Sequence, residues 1–203
     1  MTGATPDPLV ILVVCTANIE RSPMGEAFLR HRAGEAALPI EVSSAGFLFE
    51  GEPAADDAVA VMADLGFDLS GHRSRIVRPE MVREADLIVT MERSHARSLV
   101  LDVPDVADRV HTLGAAVAGF ASIVRSEDSG AGGGWRAGAG SVALDSIRDR
   151  VVRLGEQRPA SALLGSGADE VDDPHGRRRR HHRRTARRLD QLMTDLISAL
   201  AVT

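Results

Sequence analysis

One cysteine and one arginine near the start of the chain have a spacing that suits phosphate chemistry. Cys15 is the single cysteine among 203 residues; Arg21 follows six positions later, then Ser22 and Pro23. A thiol at the end of a buried strand, facing the first turn of the next helix, is favoured as a nucleophilic thiolate, because unpaired backbone N–H groups and the helix dipole attract negative charge. The same loop, Thr16, Ala17, Asn18, Ile19, Glu20 and Ser22, is expected to cradle a phosphate or another oxyanion. Arg21 can return to that point and hold two oxygens with its planar guanidinium. Ser22 can hydrogen-bond the sulfur and ease its departure in a second step. Asn18 tolerates the left-handed backbone that curls loop amides inward. Spacing alone says little, since arginine is 24 of 203 residues and buried free cysteines are usually inert. Spacing together with strand, Asn18, Ser-Pro and helix is specific.

Those residues need a strand before them and a helix after them. Leu9 to Val14 is a continuous β-branched-rich run, the pattern of a strand buried on both faces of a parallel sheet. Ser22-Pro23 reads as an N-cap and first helical position, with Met24, Ala27, Phe28 and His31 following at helical spacing. Further strands are expected at Ile40 to Ser43, Leu87 to Met91 and Arg109 to Leu113. Helices are expected over Ala54 to Leu65 and Ser94 to Leu101, with a helical turn around Pro79 to Glu84. This alternation implies an α/β fold: three layers, a central four-stranded parallel sheet, helices on both faces and a phosphate-binding loop after the first strand. Beyond Gly114 the pattern weakens to a short helix from Ala115 to Val124, a Gly/Ser-rich surface loop from Ser126 to Gly140, and a helix through Leu144, Ile147, Val151 and Leu154. A loose stretch from Ser161 to Asp169 precedes a final helix whose face is Leu189, Leu192, Met193, Leu196, Ile197 and Leu200. Residues 1–203 are read as a single domain with a variable insertion around 115–168.

The stretch Cys15-Thr16-Ala17-Asn18-Ile19-Glu20-Arg21-Ser22-Pro23 resembles the signature of the low-molecular-weight protein-tyrosine phosphatase family, in its bacterial branch. Ser43-Ser44-Ala45-Gly46, His72-Arg73-Ser74-Arg75, Asp86 to Met91 and Val171-Asp172-Asp173-Pro174 resemble later segments of that family in order. The resemblance implies a phosphomonoester hydrolase, foremost a protein-tyrosine phosphatase, with Cys15 forming a phosphocysteine and Arg21 binding substrate and transition state. It implies Asp173 as general acid for the leaving phenol and then general base for water. Asn18, Ser22, Ser44 and His72 would hold the loop and tune the thiolate. No metal or other cofactor is implied, since loop amides and Arg21 supply the charge stabilisation.

The chain departs from that pattern at Glu20, where many members carry a second cysteine. The exchange removes a protective disulfide and sets a carboxylate beside an anionic site, so a slower phosphatase is expected. His175 stands where the family often has an aromatic residue, and the chain has no tyrosine, leaving Phe47 or Phe49 to wall a phenyl-ring slot. Two alternatives stay open. One is a single-cysteine arsenate reductase coupled to an external thiol; the other is a blunted phosphate or phosphoprotein binder.

The net charge is -5, yet residues 177–188 hold eight arginines and no acid, so about -13 falls on the rest. The run from Arg177 to Arg188 follows the Asp173 loop directly and is read as a solvated loop and helix start. A sharper expectation is recruitment of an acidic phosphopeptide or polyanion. Nucleic-acid binding is not expected as the main function, since no aromatics interleave the run. His181 and His182 lack partner spacing for a metal. One cysteine excludes a disulfide framework, and the apolar run Leu9 to Val14 is too short to span a membrane, so a cytoplasmic protein is expected.

Overall fold

The computed structural model describes residues 7–128, 144–163 and 167–202. Its strands are β1 (Leu9–Val14), β2 (Ile40–Ala45), β3 (Leu87–Thr90) and β4 (Val110–Thr112). The helices are α1 (Arg21–Glu35), α2 (Asp56–Asp64), α3 (Pro79–Glu84), α4 (Arg93–Asp102), α5 (Leu113–Asp128), α6 (Leu144–Glu156) and α7 (Arg179–Leu200).

The strands pair in parallel in the order β2-β1-β3-β4, with Val14 in register with Ala45 on one side and Thr90 on the other. The chain leaves β1 for β2 and then crosses back to β3, so the order reverses at β1. In open parallel sheets that reversal opens a crevice at the carboxyl ends of the strands, and Cys15 sits there. β1 is apolar throughout because both of its faces are covered. Leu9, Ile11 and Val13 pack with α1, α2, α5, α6 and α7, while Leu12 and Val14 pack with α3, α4 and the 3₁₀ turn at Pro104–Arg109. This is the expected three-layer arrangement.

Several boundaries differ for physical reasons. α1 starts at Arg21, one residue before the anticipated cap: Ser22 lies inside the helix because its hydroxyl bonds the Cys15 sulfur at 3.0 Å. The last helix begins at Arg179, ten positions before Leu189, because His182, Thr185 and Ala186 continue its buried face among the arginines. Those residues are polar or small, which hides the helical period. β4 ends at Thr112 and α5 begins without a loop, running to Asp128. The rest of the 126–140 stretch, and residues 164–166 of the loose segment, lie outside the described residues.

His111 on β4 is buried, and its Nε2 lies 3.0 Å from the Asp108 carbonyl, which an N–H there can donate to. Burial pushes its pKa down from 6.5 to about 4, with the Asp108 bond offsetting only part of that. A lowered value means the fold favours the neutral ring. The contribution is present above the ordinary histidine range and is lost as pH falls through that range to the folded value. The stability of the wild type relative to His111→Gln should therefore drop by up to about 3 kcal/mol between pH 6.5 and about 4 in urea melts. Parallel stability curves would contradict this.

Candidate active site

The loop between β1 and α1 is built around Asn18. Its φ of 55° is left-handed, and the residue is fully buried. Its side-chain amide donates to Ser22 Oγ at 2.9 Å and Ser44 Oγ at 2.8 Å, while its Oδ1 accepts the Arg75 N–H at 2.8 Å. His72 Nε2 lies 2.6 Å from the Asn18 carbonyl, so an Nε2–H donates to it. Both amide donors and the amide oxygen are thus used, which fixes a conformation that costs a non-glycine residue strain. The Asn18 N–H reaches the Cys15 sulfur at 3.3 Å, and with the twist fixed the chain returns so that Ser22 Oγ reaches the same atom at 3.0 Å. Ser44 in turn hydrogen-bonds Glu26, and the Arg75 guanidinium holds the Ser44 carbonyl.

The loop is backed by β2. Phe47 N–H donates to the Thr16 carbonyl at 2.7 Å, and Ala55 N–H donates to the Ile19 carbonyl at 2.9 Å. Gly46 passes so close that a Cβ there would lie 2.6 Å from Asn18 N, 2.8 Å from the Ala17 carbonyl carbon and 2.9 Å from Thr16 O. Only a residue without a side chain allows that approach.

Arg21 is buried, and its guanidinium is fully engaged at both terminal nitrogens. Nη1 donates to Glu92 Oε1 at 2.5 Å and to the Val171 carbonyl at 3.1 Å; Nη2 donates to Thr16 Oγ1 at 3.1 Å and Asp173 Oδ2 at 2.6 Å. Asp173 is 152 positions away in sequence and half exposed, so its carboxyl meets Arg21 and is open to solvent. The loop carrying it is anchored before Asp173 by Val171 N–H on the Met91 carbonyl and Thr185 Oγ1 on the Asp172 carbonyl. Asp169, bound by Arg93 and Thr112, fixes its root.

Sequence reasoning missed Glu92, His95 and His182. Burial opposes the Glu92 charge, but the Arg21 guanidinium prevails and holds its pKa below the ordinary carboxylate value. His95 is buried, with Nε2 2.9 Å from Thr16 Oγ1 and its ring stacked on Phe47 at 5.7 Å. Burial keeps its pKa low, helped by Arg21 and opposed first by Glu92, so the neutral ring can accept the Thr16 proton while Thr16 accepts from Arg21. A signal existed: Glu92 and His95 follow the carboxyl end of a buried parallel strand, where such sheets place their sites. Phe47 is thereby committed to His95, and Phe49 is the exposed aromatic of that loop. The Glu20 carboxylate hydrogen-bonds His175 and lies 3.2 Å from His182 Nε2, and among the described residues no arginine pairs with it. Among the described residues no cluster of His, Cys, Asp and Glu has the makings of a metal site.

A thiol at a helix start with the Asn18 N–H on its sulfur, a buried arginine and a half-exposed carboxyl bound to that arginine fit a cysteine-dependent phosphatase on a parallel α/β sheet. Residues 10–123 match the family of low molecular weight phosphotyrosine protein phosphatases, and the chain belongs to that family. It is 42% identical over 106 residues to the probable low molecular weight protein-tyrosine-phosphatase EpsP of Ralstonia solanacearum, spanning 51% of this chain and 70% of that protein. The low molecular weight protein-tyrosine-phosphatase Etp of Escherichia coli K12 is also 42% identical over 106 residues, covering 51% of this chain and 68% of Etp. The crystal structure of a low molecular weight protein tyrosine phosphatase from T. tengcongensis superposes with a TM-score of 0.64 at 29% identity, over 94% of this chain and 98% of that one. Asp173 and α7 lie beyond the segment matched by the family.

The close approach of Gly46 makes a prediction. Gly46→Ala must displace the loop backbone, since the obstructing atoms belong to the main chain. With the fold retained, kcat/KM for a phosphomonoester should fall by about 100-fold, the cost of a displacement near 1 Å at a reacting centre. Unchanged kinetics would show that the loop is looser than its contacts imply.

Proposed function

We propose that the protein hydrolyses phosphomonoesters, phosphotyrosine in proteins foremost, through a phosphocysteine on Cys15. The reading is carried by one observation: the carboxyl of Asp173 meets Arg21 Nη2 at 2.6 Å beside the loop that holds Cys15. As substrate enters, Arg21 Nη2 exchanges Asp173 for a phosphoryl oxygen, the loop N–H groups bind the others, and the Cys15 sulfur attacks phosphorus. The bond to the leaving oxygen breaks as Asp173 donates its proton to that oxygen. Asp173 then takes a proton from water, whose oxygen attacks phosphorus. The sulfur leaves, stabilised by Ser22 Oγ and Asn18 N–H, and inorganic phosphate is released. Thr16, Ala17, Ile19 and Glu20 contribute main chain to the cradle, while Ser44 and His72 hold its shape. Glu92 aligns the guanidinium from the far side.

The partner we infer is an acidic phosphoprotein segment in the cytoplasm. Of the run on α7, Arg179 and Arg183 pair with Asp64 of α2. Arg184 and Arg188 have no acidic partner among the described residues and line a cavity of about 330 Å³ with Gly167, Glu170 and Asp172, just behind the acid loop. Cations there attract a negatively charged flank. No helix among the described residues is long and apolar enough to cross a membrane.

Hydrolysis of p-nitrophenyl phosphate and of an acidic phosphotyrosine peptide, metal-free and with reductant, tests both statements. Cys15→Ser should abolish turnover, and Asp173→Asn should cut peptide hydrolysis by about 100-fold. In the same assay Arg184→Glu/Arg188→Glu should raise KM for the acidic peptide alone, and added salt should do likewise. No turnover by the folded wild type would overturn the phosphatase reading. A peptide KM indifferent to salt and to the charge reversal would remove the acidic partner.

A further inference from the structure

The phosphate loop and the acid loop are joined by a cluster that the phosphoryl-transfer chemistry does not use. Glu20 closes the phosphate loop, and its carboxylate is only 7% exposed. His175 Nδ1, from the acid loop, lies 2.8 Å from Glu20 Oε1; His182 Nε2, from the first turns of α7, lies 3.2 Å from Oε2. His182 is itself 3% exposed. A carboxylate withdrawn from water to this degree needs compensating partners: His175 hydrogen-bonds Oε1, while Oε2 has no hydrogen bond and only faces the His182 ring across 3.2 Å.

The consequence reaches the reacting groups. The backbone N–H of His175 donates to Asp173 Oδ1 at 3.0 Å, leaving Oδ2 to Arg21 at 2.6 Å. The side chain of His175 is tied to the phosphate loop while its amide sets the carboxyl of Asp173. A continuous path therefore runs Glu20, His175, Asp173, Arg21 and back to the loop. We propose that His175, hydrogen-bonded to Glu20 from the acid loop, and His182, set against the same carboxylate from α7, are positioning residues that hold Asp173 in place to protonate the leaving group. The proposal rests on the phosphatase reading and adds to it a clasp built on Glu20.

The clasp responds to protons. His175 faces Glu20 across the gap and Asp173 within its own loop. The bond to Glu20, its charge and the Asp173 charge all raise the His175 pKa above 6.5. Glu20 is the charged group paired with His182. The neighbouring α7 cations Arg179 and Arg183 are drawn to Asp64 of α2, while Arg32 of α1 pairs with Asp190. A raised value means that the clasp is complete below the ordinary histidine range. It weakens as pH rises through the folded value, when His175 becomes neutral.

The test compares two substrates on the full chain across that range. Phenyl phosphate needs a proton on its leaving oxygen, whereas dinitrophenyl phosphate departs without one. The ratio of their kcat/KM values isolates the acid step. His175→Gln keeps a neutral donor toward Glu20 at every pH. The wild-type ratio should fall about tenfold more than the His175→Gln ratio as pH rises through the histidine range. His182→Gln should lower the ratio at all pH values while dinitrophenyl phosphate turnover stays within about twofold. If His182→Gln does not fold, the exposed His175 carries the test alone. Superimposed wild-type and His175→Gln profiles, or equal losses on both substrates, overturn the clasp and leave the phosphatase reading standing. Turnover of neither substrate by the wild type overturns both.

Discussion

The site depends on one backbone twist. Asn18 sits at φ 55° in full burial, and the rest of the loop follows from it. In the ordinary right-handed region the chain beyond Asn18 would take another direction, and Ser22 and Arg21 would not return to the Cys15 sulfur. An asparagine can hold that conformation because its side chain is short and polar enough to bond nearby groups. Here Ser22, Ser44 and Arg75 saturate it, and His72 takes its carbonyl. The partners come from three separate segments, α1, β2 and residues 72–75, so the twist is stabilised by the assembled fold. Buried polar networks of this kind specify a unique arrangement when every member is satisfied.

A second constraint is the charge balance around Arg21. A buried guanidinium requires anions, and two carboxylates meet it, Glu92 from the end of β3 and Asp173 from the late loop. Their accessibility differs, with Glu92 32% and Asp173 45% exposed. Glu92 also accepts from Ser94, within its own turn, whereas Asp173 stands over the mouth. One carboxylate is suited to hold the arginine and the other to meet a substrate. Opposed anions on a single cation also keep the guanidinium plane fixed, which matters where two phosphoryl oxygens must be met together.

The sheet and the β1–loop–α1 unit were legible in the sequence because their signals are local. A doubly buried strand is apolar at consecutive positions, and Cys15, Asn18, Arg21 and Ser22 fall within one turn of chain from it. Asp173 came only from resemblance, since an Asp-Pro pair in a loop has no local mark of catalysis. Glu92 and His95 belong to no motif, and only their place after the carboxyl end of a buried strand marks them. The partners of Glu20 were illegible for a different reason: His175 is 155 positions away, and His182 lies in a helix whose period is masked by arginines. Pairings of that separation are decided by packing, to which a linear pattern gives no access.

The most direct measurement is the affinity of the full chain for inorganic phosphate by titration calorimetry, comparing wild type with Asn18→Ala. If the locked twist forms the phosphate cradle, Asn18→Ala should weaken binding by at least about tenfold, the loss of one or more charge-assisted hydrogen bonds, with secondary structure retained. Equal affinities in two folded proteins would contradict the account, because the loop would then bind phosphate without the constraint on which its geometry is said to rest.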